Sequence, residues 1–242
     1  MKILQKAFNN HIVNKIVDLG HKPAPMPENE EARLNDLENL KIIEENISKS
    51  KRYSSFPKLA ATLTECDKAA INIVDGTTQH CKVNFGMDAM ENMMTKEIPR
   101  ELSVCAHVLN NDSGSLVIND LTKDDRTKHV FELNNPVINN TFPRFYAGSP
   151  IITSNGYILG SFCVFNSKPK SLDSSKVEGL RMLADQFIDL YESTEVITKE
   201  DLRIQILVKK RLTENIIHPQ QFYFVILLDL QLKRRKCSLG NL

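Results

Sequence analysis

The chain has 242 residues, 41% of them hydrophobic and 25% charged, with a net charge of +1; this is ordinary for a globular protein of one sizeable domain with appendages or two small ones. So balanced a charge excludes a global field that would draw the chain to nucleic acid or an anionic membrane. Five cysteines at 66, 81, 105, 163 and 237, with no C-x-x-C, fit free thiols in a reducing compartment and not a disulfide framework.

Residues 1–19 carry a helical stripe (Leu4, Phe8, Ile12, Ile16, Leu19) that ends at Gly20. Gln5, Lys6, Asn9, Asn10 and His11 break any signal-peptide core. No apolar run approaches the ~20 residues of a membrane span, so a cytoplasmic location is expected. "HKPAPMPEN" (21–29) reads as a stiff linker. "NEEARLNDLENLKII" then places Leu34, Leu37, Leu40 and Ile43 on one helical face, with acids in its first turn.

"FPKLAATLTEC" reads as a short amphipathic helix, and "AAINIVDGTTQHCKVNFG" as two strands around Asp75–Gly76. "SLVIND" is a further strand, and 121–143 a long irregular stretch of the kind that covers binding sites. "RFYAGSPIITSNGYILGSFCVFN" is the clearest hairpin, turning at Ser154–Asn155–Gly156. Residues 174–214 lack proline and predict one long helix, with Val177, Leu180, Ala184, Phe187 and Tyr191 as its packed face. The register fails at Thr194, Thr198 and Asp201, and Ile204, Leu207, Val208 and Leu212 resume it out of phase, which makes a dimeric signalling helix through 213 one expectation. "FYFVILLDLQL" (222–232) reads as the start of a further strand or an adventitious tail. Hairpin strands with helices before, between and after predict an α+β fold on an antiparallel sheet.

The stretch "PRELSVCAHVLNN" (99–111) sets Cys105 two residues from His107. With Ser103 as cap, a helix from Val104 turns the two side chains about 160° apart, so they do not chelate one metal. A buried Cys105 with a half-exposed His107 is the leading reading, and a pocket-lining role for either is the next. A zinc site lacks further ligands at finger-like spacing, and a Cys–His nucleophile lacks a third orienting group. Arg144, Phe145 and Tyr146 open the best hairpin; Arg144 serves either an anionic or planar ligand or an ion pair with Asp120 or Asp125. Asp120, Asp124 and Asp125 lack the ligand spacing of a calcium loop and read as a capped turn. Met90, Met93 and Met94 read as lid or core filling, and Cys163 as a buried, inert thiol.

"PENEEARLNDLENLKII", "AAINIVD", "KVNFGMD", "IPRELSVCAH", "LVINDLTKDDR" and "RFYAGSPIITSNGYILGSFCVFNSKPKSL" occur in that order over 27–192. In this order and spacing they resemble the GAF-type sensor domain, in the subgroup with a Ser-aromatic-Cys-Ala-His motif found in signalling histidine kinases and diguanylate cyclases. The resemblance implies a central antiparallel sheet of five or six strands with helices on both faces. The terminal helices pack on one face, and a ligand pocket lies on the other. Departures include Val104 for the motif aromatic, His80 and Cys81 before Lys82, Thr127 after Asp125–Arg126, and Asn166 after the last strand. Bilin-binding relatives carry a Cys-His dipeptide that is absent here. The cyclic-nucleotide signature is matched only loosely by "NSKPKSLDSSKVE", and of the three pocket-loop cysteines used by GAF-like free methionine sulfoxide reductases only Cys105 is comparably placed.

These readings combine into an N-terminal helix and linker (1–26), a GAF-like sensor domain (27–192), and a C-terminal helix extension with an apolar tail (193–242). The expected function is a non-catalytic sensory domain that binds a small molecule or a partner and signals through its terminal helices. The alternative is a thiol-based redox sensor or reductase using Cys105. Cys105, His107, Asp120, Arg144 and Tyr146 are the candidate ligand-binding residues. No cofactor or metal is assigned. Partners are an unidentified small molecule, a second copy through 174–213 and a separate kinase or cyclase output protein.

Overall fold

Three strands alternate in a way that decides which side of the sheet each residue serves. In β1 (Lys68–Val74), Ala69, Ile71 and Ile73 face one way and Ala70, Asn72 and Val74 the other. β6 (Ile158–Asn166) repeats this with Phe162 and Val164 against Cys163, and β5 (Phe145–Ile152) with Phe145 and Ala147 against Tyr146. The computed structural model describes residues 13–111 and 114–213. The apolar stretch 222–232, Cys237 and residues 1–12 of the N-terminal stripe lie outside them.

The sheet has six strands in the order β3-β2-β1-β6-β5-β4, with every neighbouring pair antiparallel. β2 (Thr78–Phe85) returns from β1 through Asp75–Gly76, and Asp75 Oδ1 accepts from the amides of Thr77 and Thr78 at 2.7 and 2.6 Å. β3 (Glu97–Pro99) and β4 (Leu116–Ile118) are three-residue edge strands. The β5–β6 hairpin turns at 153–157, where Gly156 adopts φ +85°, a conformation that favours glycine.

On the first face lie α1 (Glu30–Leu40), α2 (Lys51–Thr64) and the start of α6 (Ser174–Thr213). α1 ends at Leu40 because Lys41 turns left-handed (φ 55°), so Ile43 follows the helix instead of ending its stripe. Leu180, Ala184, Phe187 and Tyr191 are buried on α6, as their spacing predicts. Tyr53 and Phe56 of α2 meet Phe187 edge-on at 5.8 and 6.0 Å, and each such pair adds about 0.5–1.5 kcal/mol beyond its burial.

The second face is covered by short pieces: α3 (Ala89–Thr95), a 3₁₀ turn over Cys105–Asn110, α4 (Lys128–Glu132) and α5 (Pro136–Thr141). Thin cover of this kind leaves room for a cavity. Beyond the sheet, α6 runs on past the buried Glu195; Val196, Leu202 and Ile206 are 67%, 57% and 57% exposed. No helix among the described residues is long and apolar enough to cross a membrane.

Candidate functional site

The cavity lies on the second face and measures about 330 Å³. Its floor is Asn72 and Tyr146 of the sheet, its walls are Cys105 and the 142–144 segment, and α3 roofs it through Glu91 and Met94. A pocket of this size sits at the low end of the ~300–1,000 Å³ typical of small-molecule sites.

Local chemistry sets each wall. Ser103 Oγ accepts from the Ala106 amide at 3.0 Å and donates to Gln79 Oε1 at 2.6 Å, which pins the Cys-Ala-His segment to β2. The segment is a 3₁₀ turn and not the α-helix its sequence suggests, because i→i+3 bonds from Ala106 and His107 tighten it as it crosses the sheet. Its divergence survives the change: at about 120° per residue, positions two apart still point different ways. Cys105 turns inward; His107 turns toward His21, Asp124 and Arg126, and does not line the cavity. Burial drives the His107 imidazole down to about 4, helped by Arg126 and His21 against Asp124.

Tyr146 reaches across Gly148, where a Cβ would fall 2.2 Å from the phenolic oxygen. Its hydroxyl lies 2.9 Å from Ser161 Oγ and donates to Cys105 Sγ at 3.4 Å. Asn72 Nδ2 donates to the sulfurs of Cys105 and Cys163 at 3.4 and 3.3 Å. The two sulfurs are 3.9 Å apart.

Arg144 departs from the sequence expectation. It pairs with neither Asp120 nor Asp125, because both are engaged inside their own turn: Asp120 caps Thr122 and meets Lys123, while Asp125 meets Lys128. The guanidinium instead lies 4.3 Å above the Phe131 ring and donates through Nη2 to Asn139 O at 3.0 Å. Its Nη1 is buried without a partner, as are Oδ1 of Asn72 and Oδ1 of Asn139, and all three residues line the cavity. The strand it precedes, β5, is interior, with β4 as the edge.

Of the five residues singled out from sequence, Cys105, Arg144 and Tyr146 line the cavity, and His107 and Asp120 do not. Asn72 and Asn139 were missed. Asn72 did leave a signal, as the one polar side chain inside the apolar run "AAINIV". The roof was also missed: Asp88 and Glu91 form a reciprocal capping box on α3, and Glu91 holds Lys68 of β1. Met90 and Met93 stand exposed on its outer side, and Met94 faces in. Among the described residues no group of His, Cys, Asp or Glu could hold a metal ion.

The GAF domain model matches residues 56–188, more than half of the chain. This chain belongs to the GAF domain family. A cyclic di-GMP phosphodiesterase of Pseudomonas aeruginosa is 30% identical over 146 residues, 60% of this chain, which spans 23% of that protein's length. Among solved structures, the blue-light absorbing form of the PixJ GAF domain from Thermosynechococcus elongatus superposes with a TM-score of 0.50 at 13% identity. That match covers 71% of this chain and 94% of the other. Bacteriophytochrome RpBphP3 from R. palustris also gives 0.50, at 11% identity, over 78% of this chain and 43% of its own. These likenesses share the fold. The GAF domain is a sensory module, and domains of this family are generally regulatory.

Proposed function

We propose that this GAF domain senses a compact metabolite bearing an anionic group, held in the cavity, and passes its occupancy to an output partner through α6 without transforming that metabolite. The observation that carries this reading is the convergence of three unpartnered polar atoms on one cavity: a cationic donor, Arg144 Nη1, and two acceptors, Oδ1 of Asn72 and of Asn139. Leaving a buried donor or acceptor unpaired costs about 1–3 kcal/mol each, so a molecule that satisfies all three recovers a sizeable binding energy. Among the described residues Lys68 is neutralised by Glu91 and Arg144 has no acidic partner, which favours an anion.

Coupling follows the sheet. Asn72 and Tyr146 meet the ligand on one face, while Ile71, Ile73, Phe145 and Ala147 pack beneath the helices on the other. A ligand that prefers one arrangement of the cover shifts the population of helix positions by no more than its differential affinity. The exposed apolar residues of α6 beyond Glu195 suit a second copy or a separate kinase or cyclase. The Pseudomonas relative, a cyclic di-GMP phosphodiesterase, supports an output in cyclic dinucleotide turnover.

The test is a thermal-shift panel of carboxylates, phosphates and nucleotides on wild type and Arg144→Gln. At a hundredfold excess over Kd a ligand adds about 2.7 kcal/mol, a rise of roughly 5 °C or more for a domain of this size. The expected result is an anionic compound whose shift disappears in Arg144→Gln. No shift from any compound removes the reading.

A further inference from the structure

We propose that Cys105 and Cys163 are a dithiol oxidised by hydroperoxides, with Cys105 as the thiol attacked from the cavity and Cys163 as its resolving partner. The proposal stands whether or not a metabolite occupies the cavity. It rests on a juxtaposition that the sequence, with 57 residues between the two, gives no hint of: Sγ atoms 3.9 Å apart, both buried, one on the cavity wall and one behind it.

The two sulfurs are not equivalent. Cys105 lines the cavity, whose rim reaches the exposed Ser167, so a small oxidant has a route to it. Its sulfur accepts from the Tyr146 hydroxyl and the Asn72 amide, donors that stabilise a thiolate. Cys163 does not line the cavity, and its S–H has the Ala70 carbonyl as acceptor at 3.4 Å, which holds it as a thiol. Burial opposes ionisation at both; at Cys105 the hydrogen bonds it receives, those of Tyr146 and Asn72 among them, outweigh it and lower the thiol, whereas at Cys163 burial prevails. Of the two, Cys105 is the thiol more readily ionised and Cys163 the one held protonated.

In the first step a lone pair of the Cys105 thiolate attacks the terminal oxygen of a hydroperoxide. An S–O bond forms, the O–O bond breaks, and the alkoxide (hydroxide, from hydrogen peroxide) leaves to be protonated by solvent. Sulfur is oxidised to sulfenic acid by two electrons and the peroxide is reduced. In the second step Cys163 attacks the sulfenic sulfur. The S–S bond forms, the S–O bond breaks, and the Cys163 proton leaves with the hydroxyl as water. An external dithiol reverses the result by exchange. Closing the sulfurs from 3.9 Å to the ~2.05 Å of a disulfide falls to the 3₁₀ turn, because Cys163 is fixed in β6 between β1 and β5. Oxidation would thus draw Cys105 off the cavity wall. Cys81 also lines the cavity, but burial pushes its thiol up to about 11, which makes it the poorer nucleophile.

The full chain, reduced and then exposed to hydrogen peroxide, is quenched by alkylation under denaturing conditions and mapped by mass spectrometry. The expected product is a single crosslink joining the Cys105 and Cys163 peptides, reversed by dithiothreitol. In Cys163→Ala, Cys105 is expected to accumulate as a sulfenic acid trapped by dimedone. Tyr146→Phe, which keeps the ring, is expected to slow Cys105 oxidation about tenfold, the worth of a hydrogen bond to a charged sulfur. A crosslink through Cys81, Cys66 or Cys237, or Cys105 and Cys163 both remaining alkylatable after peroxide, overturns the proposal. So does over-oxidation of wild-type Cys105 without a crosslink. Should Cys163→Ala fail to fold, the wild-type peptide map alone decides.

Discussion

Gly148 shows how a residue without a side chain shapes this site. Tyr146 lies over it to reach Ser161 and Cys105, and an added Cβ would meet the phenolic oxygen at 2.2 Å and Ser161 Oγ at 2.4 Å. Overpacking in a buried sheet costs typically 1–3 kcal/mol, so Gly148→Ala is expected to lower the urea midpoint by that equivalent. A midpoint equal to wild type would mean that Tyr146 does not occupy this position. His107 gives a second prediction at the same scale. Its native value of about 4 lies below the ordinary 6.5, so between these the unfolded chain binds a proton that the folded one does not. Its contribution is fully present above about pH 6.5 and is lost as pH falls toward 4. Glu195, whose carboxyl is raised by burial and by Glu45, slopes the opposite way. The quantity to measure is therefore the difference between wild type and His107→Gln in chemical denaturation from pH 7.5 to 4.5. Wild type is expected to lose more stability than the variant on acidification, and parallel curves would contradict the buried, neutral imidazole. The inward turn of Cys105 was legible from the spacing of its segment, since residues two apart diverge in either kind of helix. The partner of Arg144 was not: it depends on Phe131 and Asn139, brought to the guanidinium by α4 and α5, helices of five and six residues in a stretch whose sequence reads as irregular.

At the scale of elements, the two faces of the sheet differ in how much of them a sequence can disclose. The helical face follows a 3.6-residue period, and Leu180, Ala184, Phe187 and Tyr191 are buried where that period puts them. Tyr191 also donates its hydroxyl to Leu40 O at 3.0 Å, tying α6 to the end of α1. Tyr191→Ala is expected to destabilise the fold by about 3–5 kcal/mol, the range for losing a large buried aromatic. Shortening the chain to end after residue 196 is expected to leave the melting temperature within a few degrees, because Leu202 and Ile206 are each 57% exposed among the described residues. A large drop on that truncation would show that α6 beyond Glu195 supports the fold. The cavity face is built from pieces of five to seven residues, too short for a period to emerge. There, single hydrogen bonds decide geometry, as Ser103 to Ala106 does at the Cys-Ala-His turn. The cap on α3 is another case: Asp88→Ala removes the acceptor of the Glu91 amide and is expected to cost about 1 kcal/mol, read as faster hydrogen exchange confined to 89–95.

On the scale of the whole molecule, one sheet separates a densely packed helical side from a loosely roofed side, and the division assigns the work. The helical side supplies stability and continues outward through α6. The other side keeps three unpartnered polar atoms and the Cys105 thiol on a space of about 330 Å³. A domain that only scaffolds has no reason to hold Arg144 Nη1, Asn72 Oδ1 and Asn139 Oδ1 without partners beside an open volume. Sensing of a small anionic molecule gives those atoms a purpose. Native mass spectrometry of the full chain, incubated with a metabolite extract and desalted, tests this most directly. The account predicts a complex with one small molecule per chain, lost in Arg144→Gln. Spectra containing only the bare polypeptide, or adducts that persist unchanged in that variant, would contradict it.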